Sequence, residues 1–126
     1  MPSTPDSAAP ERGDPDSYAA MLAAVQSFHD KHNFKARGGE DLVYRVALMA
    51  EELGEIGACV TKGKSPEQLS EECADLLILL LGTGISAKVD LNAAFWRKMH
   101  ELMARPAREV NGRVRVSRFD GVKEPT

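Results

Sequence analysis

Two cysteines, Cys59 and Cys73, are too few to staple a chain of 126 residues. A disulfide framework is therefore excluded as the source of its stability. Both fall in segments that read as helix, where each is expected to be a small buried apolar residue. Basic residues are not in excess either: 16 Lys and Arg stand against 19 Asp and Glu, a net charge of −3. That balance gives no ground for nucleic-acid binding through a basic surface. No long apolar run is present. The most apolar stretch, residues 76–81, is far shorter than the roughly 20 residues that span a bilayer. The chain does not open with a basic start and an apolar run, so no signal peptide is read and the expected location is cytoplasmic. Trp96, the one tryptophan, is expected in the core or at an interface. What remains, 43% apolar and 28% charged residues, is the composition of one ordinary globular domain.

The pattern along the chain is helical. Residues 1–16 hold four prolines among Ser, Asp and Gly and are expected to form a disordered tail. A first helix starts near Ser17, with Met21, Leu22, Val25 and Phe28 at helical spacing, and fades near Asn33. Gly38 and Gly39 break the chain. A second helix is expected over 41–62, with an apolar stripe of Leu42, Val46, Met49, Leu53, Ile56 and Val60, ended by Gly63. Ser65-Pro66-Glu67-Gln68 is the start signature of a third helix, running to about Ala87. From 76 to 81 this helix is apolar all round, which a surface helix is not. Burial by a second copy over the 76–85 region explains it, so a homodimer or homotetramer is expected; the alternative is one central helix in a monomer. Asp90 caps a fourth helix that Pro106 stops. Residues 107–126 form an arm or a small hairpin around Asn111-Gly112. The fold class is all-α: a four-helix domain over 17–106 between two tails.

Two acidic clusters dominate the chemistry. They are Glu51-Glu52-Leu53-Gly54-Glu55 and Glu71-Glu72-Cys73-Ala74-Asp75. Glu52 and Glu55 share one helical face, as do Glu72 and Asp75. No Lys or Arg lies within 46–60 or 67–86, so no basic neighbour one turn away balances these charges. If the two helices form an antiparallel hairpin, the four carboxylates converge, and only a cation makes such a cluster tolerable. All-oxygen ligands select a hard ion, Mg²⁺, with Mn²⁺ as a substitute. Such a cage suits phosphate chemistry. Glu51, rotated about 100° from Glu52, is the candidate general base; the alternative for it is a solvated acid or an orienting residue.

These residues resemble a known family. E-E-x-x-E followed by E-x-x-D, on the second and third helices of a small all-α protein, is similar to the MazG-type nucleotide pyrophosphohydrolases. The likeness covers about 18–106. It includes residues 28–34, Leu48-Met49-Ala50 before the first acids, Leu76-Leu77-Ile78 after Asp75, and Lys98, Met99, Arg105 and Pro106. It implies Mg²⁺-dependent hydrolysis of nucleoside triphosphates between the α and β phosphates. It also implies Glu52, Glu55, Glu72 and Asp75 as metal ligands, the same four that spacing selects. Lys98 and Arg105, seven apart on one face of the fourth helix, are the expected phosphate ligands. An ordinary solvated basic stripe is the alternative. Leu102 stands where the family often has Asn, and Arg113, Arg115 and Arg118 are candidates to compensate. In the family the end of the first helix lies over the nucleobase, which implies His32, Asn33 and Phe34 as base contacts. Arg45 lies on the face of Glu52, where it either pairs with an acid or stands at the surface.

Three rivals are weighed. A di-iron bundle requires Glu-x-x-His pairs, and none occurs. Phosphoribosyl-ATP pyrophosphohydrolase keeps the fold and the acids but changes the substrate. A non-catalytic metal-binding dimerisation module keeps the fold alone, and lack of turnover would distinguish it.

Overall fold

The computed structural model describes residues 14–116. The expected N-terminal tail therefore lies almost wholly outside the described residues, as does Arg118. The described residues form four helices and one short hairpin: α1 Tyr18–Lys31, α2 Leu42–Thr61, α3 Pro66–Ala87, α4 Leu91–Ala104, β1 Arg108–Val110 and β2 Arg113–Arg115. The chain divides into two compact units, one ending at Val89 and one beginning at Asp90.

Each helix begins where its capping residue stands. The side chains of Ser17, Asp41, Ser65 and Asp90 accept hydrogen bonds from the backbone N–H groups of Ala20, Tyr44, Gln68 and Ala93. At α3 the bond is reciprocal, because the Gln68 side chain also accepts from the Ser65 N–H. α2 ends at Lys62, and Gly63 follows at φ +62°, a conformation glycine adopts without steric cost. α3 ends instead on Lys88 in the left-handed region. α4 stops at an extended Arg105, the conformation that a following proline imposes.

In the first unit α3 is central: both α1 and α2 pack against it. Among the described residues the fully buried apolar side chains are Val25, Cys59 and Leu81, and two polar ones, His29 and Arg45, are buried with them. The face of α2 turned inward carries Arg45, Met49, Glu52, Ile56 and Cys59. Of the expected stripe, Met49 and Ile56 turn inward, and the rest is corrected. Val46, Leu53 and Val60 are 60, 62 and 68% exposed. The helix has more apolar residues than one neighbour can cover, so apolar periodicity alone did not say which face α3 would take. Phe28 and Met21 on α1 are also partly exposed. Cys73 is exposed rather than buried, because α3 turns Leu69, Glu72, Leu76 and Leu79 inward and Cys73 falls on another face. Of residues 76–85, Leu81, Gly82 and Gly84 are buried within the protomer, whereas Leu77, Ile78 and Leu80 stay open.

The second unit holds α4 and the hairpin. β1 and β2 pair antiparallel, with Arg108 opposite Arg115 and Val110 opposite Arg113. Asn111 and Gly112 turn the chain at φ +52° and +77°, as a two-residue hairpin requires. Of the two conformations open at this point, the structure adopts the hairpin. Trp96 is half exposed on α4, its ring edge-on to Phe95 at 5.1 Å.

Candidate active site

The two acidic helices meet. Carboxylate oxygens of Glu52 on α2 and of Glu72 and Asp75 on α3 all lie within 4.8 Å of one another. Helical spacing explains the α3 pair, since residues three apart share a face. Their approach to Glu52 follows from the packing of α2 on α3. Asp75 is exposed and the other two are half-buried. Glu52 Oε2 is sealed from solvent and accepts no hydrogen bond. Burial pushes the Glu52 carboxyl above the ordinary carboxylate range. The adjoining Glu72 carboxyl and the charges of Asp75, Glu72 and Glu55 push it the same way. Once both are ionised, Glu52 and Glu72 repel.

A buried oxygen without a donor is costly. Three carboxylates converging on one point supply the hard oxygen set that divalent cations of the Mg²⁺ class take. The donor set and the orphaned oxygen thus fit such an ion. Glu55, the fourth expected ligand, is exposed and does not join the close set, although its charge acts on Glu52. Glu51 is exposed on α2 beside Glu52.

Along α2, Leu48 and Tyr44 precede Glu52 by four and eight residues, which is about 6 and 12 Å of helix. Both line a cavity of about 690 Å³ that Phe28, His32, Phe34 and Arg37 close from the other side. The Phe28 ring meets His32 and Phe34 edge-on at 5.0 and 5.2 Å. Of the expected base contacts, His32 and Phe34 are therefore together. Asn33 is not with them. It sits at φ +53° just past α1 and lines a separate polar cavity with His29, Lys35, Glu40 and Lys88. Arg37 and Tyr44 were missed in the sequence. The signal for Tyr44 was its spacing from Leu48 and Glu52; nothing local marked Arg37. A third cavity, apolar and about 540 Å³, runs between α1 and α3 from Met21 to Leu81 and reaches Asp75. Phe28 lines this one too.

Arg45 does neither of the two things expected of it. It is 1% exposed, and its guanidinium turns away from the acids. Nε donates to Thr83 Oγ1 at 3.0 Å, while the two terminal nitrogens donate to Gly39 O and Leu79 O, each at 2.9 Å. Burial lowers its pKa, and the Glu40 charge acts against that. Beside it, buried His29 holds Glu40 through Nδ1 at 3.1 Å. Gly82 is the reason both fit, because a Cβ there would overlap the Arg45 guanidinium and the His29 ring.

Lys98 and Arg105 belong to the second unit. Lys98 Nζ pairs with Glu101 at 3.0 Å, and Arg105 approaches the same carboxylate at 3.8 Å. The Lys98 hydrogen bond and charge, with Arg105 and Arg97 behind them, hold Glu101 below the usual carboxylate range.

A family model described as phosphoribosyl-ATP pyrophosphohydrolase matches residues 17–103, which takes in all four helices nearly whole. No curated protein and no solved structure matches the chain.

Proposed function

Because the chain belongs to the phosphoribosyl-ATP pyrophosphohydrolase family, a family of phosphoanhydride hydrolases, we propose that it hydrolyses nucleoside triphosphates between the α and β phosphates. The products are a monophosphate and pyrophosphate. One observation carries this reading: carboxylate oxygens of Glu52, Glu72 and Asp75 lie within 4.8 Å of one another, and one Glu52 oxygen is buried without a partner. Glu52, Glu72 and Asp75, with Glu55 alongside, would hold Mg²⁺. Bound there, the ion supplies Lewis-acid stabilisation of charge on the phosphoryl oxygens and the leaving group.

The chain's own residues do the rest. Glu51, exposed and next to Glu52 in sequence, is the proposed acceptor of the attacking water's proton. Phe28, His32 and Phe34 offer an apolar, aromatic enclosure for a flat base, and Arg37 adds a donor. The distance along α2 from this enclosure to Glu52 is that of a base and sugar. Lys98 and Arg105 keep their proposed role as phosphate-binding cations. No helix among the described residues is long and apolar enough to cross a membrane. A substrate of free nucleotides places the enzyme in the cytoplasm on this reading.

The likeness of residues 28–34 to the MazG group favours ordinary (deoxy)nucleoside triphosphates. The family match favours phosphoribosyl-ATP, an adenosine triphosphate with a second phosphoribosyl group on its base. Pyrophosphate release with Mg²⁺, measured over the eight common triphosphates and phosphoribosyl-ATP, separates the two. Turnover of at least one is expected. Glu52→Gln and Asp75→Asn should each lower it by about a hundredfold or more, the scale of several kcal/mol of lost charge stabilisation, while the helical circular dichroism stays intact. No turnover across the panel would leave a metal-binding module. Full activity in both variants would remove the metal assignment.

A further inference from the structure

Residues 33–40 connect α1 to α2 and carry the Phe34 and Arg37 wall of the aromatic cavity. What holds this connection is not local. Its own backbone bonds are short-range, such as Gly39 N–H to Phe34 O at 2.9 Å and Arg37 N–H to Asn33 O at 3.1 Å. The long-range tie is Arg45. One terminal nitrogen grips Gly39 O, and the other two nitrogens grip Leu79 O and Thr83 Oγ1 on α3. Thr83 is itself fixed, since its hydroxyl donates to Leu79 O at 2.7 Å.

Gly39 then transmits the grip to the ring. Its Cα lies so close to Phe34 that a Cβ would come within 2.6 Å of the ring carbon Cγ. Phe34 also lies against buried His29, with ring centroids 4.6 Å apart, and Glu40, at the far end of the connection, is held by the same histidine. The wall is thus clamped at Gly39 and Glu40 from beneath. The metal-type acids stand apart: Arg45 bonds none of Glu52, Glu55, Glu72 or Asp75.

We propose that Arg45 is a positioning residue for nucleobase recognition, fixing the Phe34 and Arg37 wall of the cavity through Gly39 while leaving triphosphate binding at the acidic cluster to other groups. This rests on the reading of the cavity as the base site. Arg45 touches no substrate on this account; it acts by removing the freedom of residues 33–40 before a base arrives. Pre-ordering of this kind raises affinity by lowering the entropy lost on binding.

The test separates base from phosphates. Calorimetry with Mn²⁺ present measures two probes on the full chain. One is the tightest-binding of the α,β-methylene triphosphates of adenosine, guanosine, cytidine and uridine; the other is inorganic tripolyphosphate, which has no base. Arg45→Lys keeps the charge but loses the fork that bonds three acceptors. It should weaken the nucleotide analogue about tenfold and leave tripolyphosphate within about twofold. Thr83→Val removes one acceptor and should move the same ratio by a smaller factor, which keeps the idea testable if Arg45→Lys does not fold. In turnover, KM should rise with kcat nearly unchanged. Equal weakening of both probes would make Arg45 merely structural and overturn the proposal, as would no change in either. Phe34→Ala is the control on the premise. If it leaves nucleotide affinity intact, the cavity is not the base site, and that failure is distinct from a failure of Arg45.

Discussion

Glu52 is the residue on which most of the chemistry turns. Its raised pKa, caused first by burial and then by its acidic neighbours, has a consequence for stability. The folded chain keeps this proton at a pH where the unfolded chain has lost it. Its contribution to stability is therefore fully present below the ordinary carboxylate range and is lost as pH rises through the raised value. Glu52→Gln cannot lose a proton. The stability gap between the metal-free variant and the metal-free parent should open in the variant's favour from mildly acidic to neutral pH. Manganese should narrow it by stabilising the parent. Melting curves with chelator and with Mn²⁺ measure both effects, and a gap that does not change with pH would mean that Glu52 is not strained. Glu101 shows the opposite case. It is held low by Lys98, but both side chains are well exposed to water, so their pairing contributes little.

At the scale of elements, the starts of helices are written in single residues and their inward faces are not. Ser65 and Gln68 close a reciprocal cap at the start of α3. Ser65→Ala removes the acceptor for the Gln68 N–H and should cost about 1 kcal/mol, read by urea unfolding. It should leave Mn²⁺ affinity unchanged, because Glu72 begins two turns later. A loss above about 3 kcal/mol would point to a role beyond capping. The faces were harder to read. α2 carries one broad apolar stripe, of which the edge with Met49 and Ile56 turns inward beside Cys59 while Leu42, Val46, Leu53 and Val60 stay exposed. The choice went to the side that carries Arg45, which needed the Leu79 and Thr83 oxygens of α3 to be buried at all. The observed rotation gives Arg45 three acceptors, at Gly39, Leu79 and Thr83.

At the scale of the molecule, the protomer leaves much apolar surface open. Val46, Leu53 and Val60 recur every seven residues along α2, and Leu77, Ile78 and Leu80 lie on α3. Exposed apolar side chains in this number favour association, and on that ground we propose a homodimer. Analytical ultracentrifugation should give twice the protomer mass at micromolar concentration. Ile78→Asp together with Leu80→Asp should return the chain to one protomer. If Leu53→Asp does so instead, the seam lies on α2; a parent that sediments as a monomer would end the dimer reading.

The sequence alone determined the four helices, their starts and the acids placed one turn apart on two helices, because these depend on interactions within a few residues; at Asn111-Gly112 it left a hairpin and an arm open. It also marked the metal-type cluster, since an unbalanced run of carboxylates is visible without coordinates. Only the tertiary structure decided that Glu55 stands outside the close set, that Asn33 lines a different cavity from His32 and Phe34, and that Arg45 clamps a connection instead of serving the acids. Each of those depends on how α2 is rotated against α3 and where residues 33–40 are tied. That is settled by long-range hydrogen bonds and by the space left at Gly82 and Gly39, which no local pattern encodes.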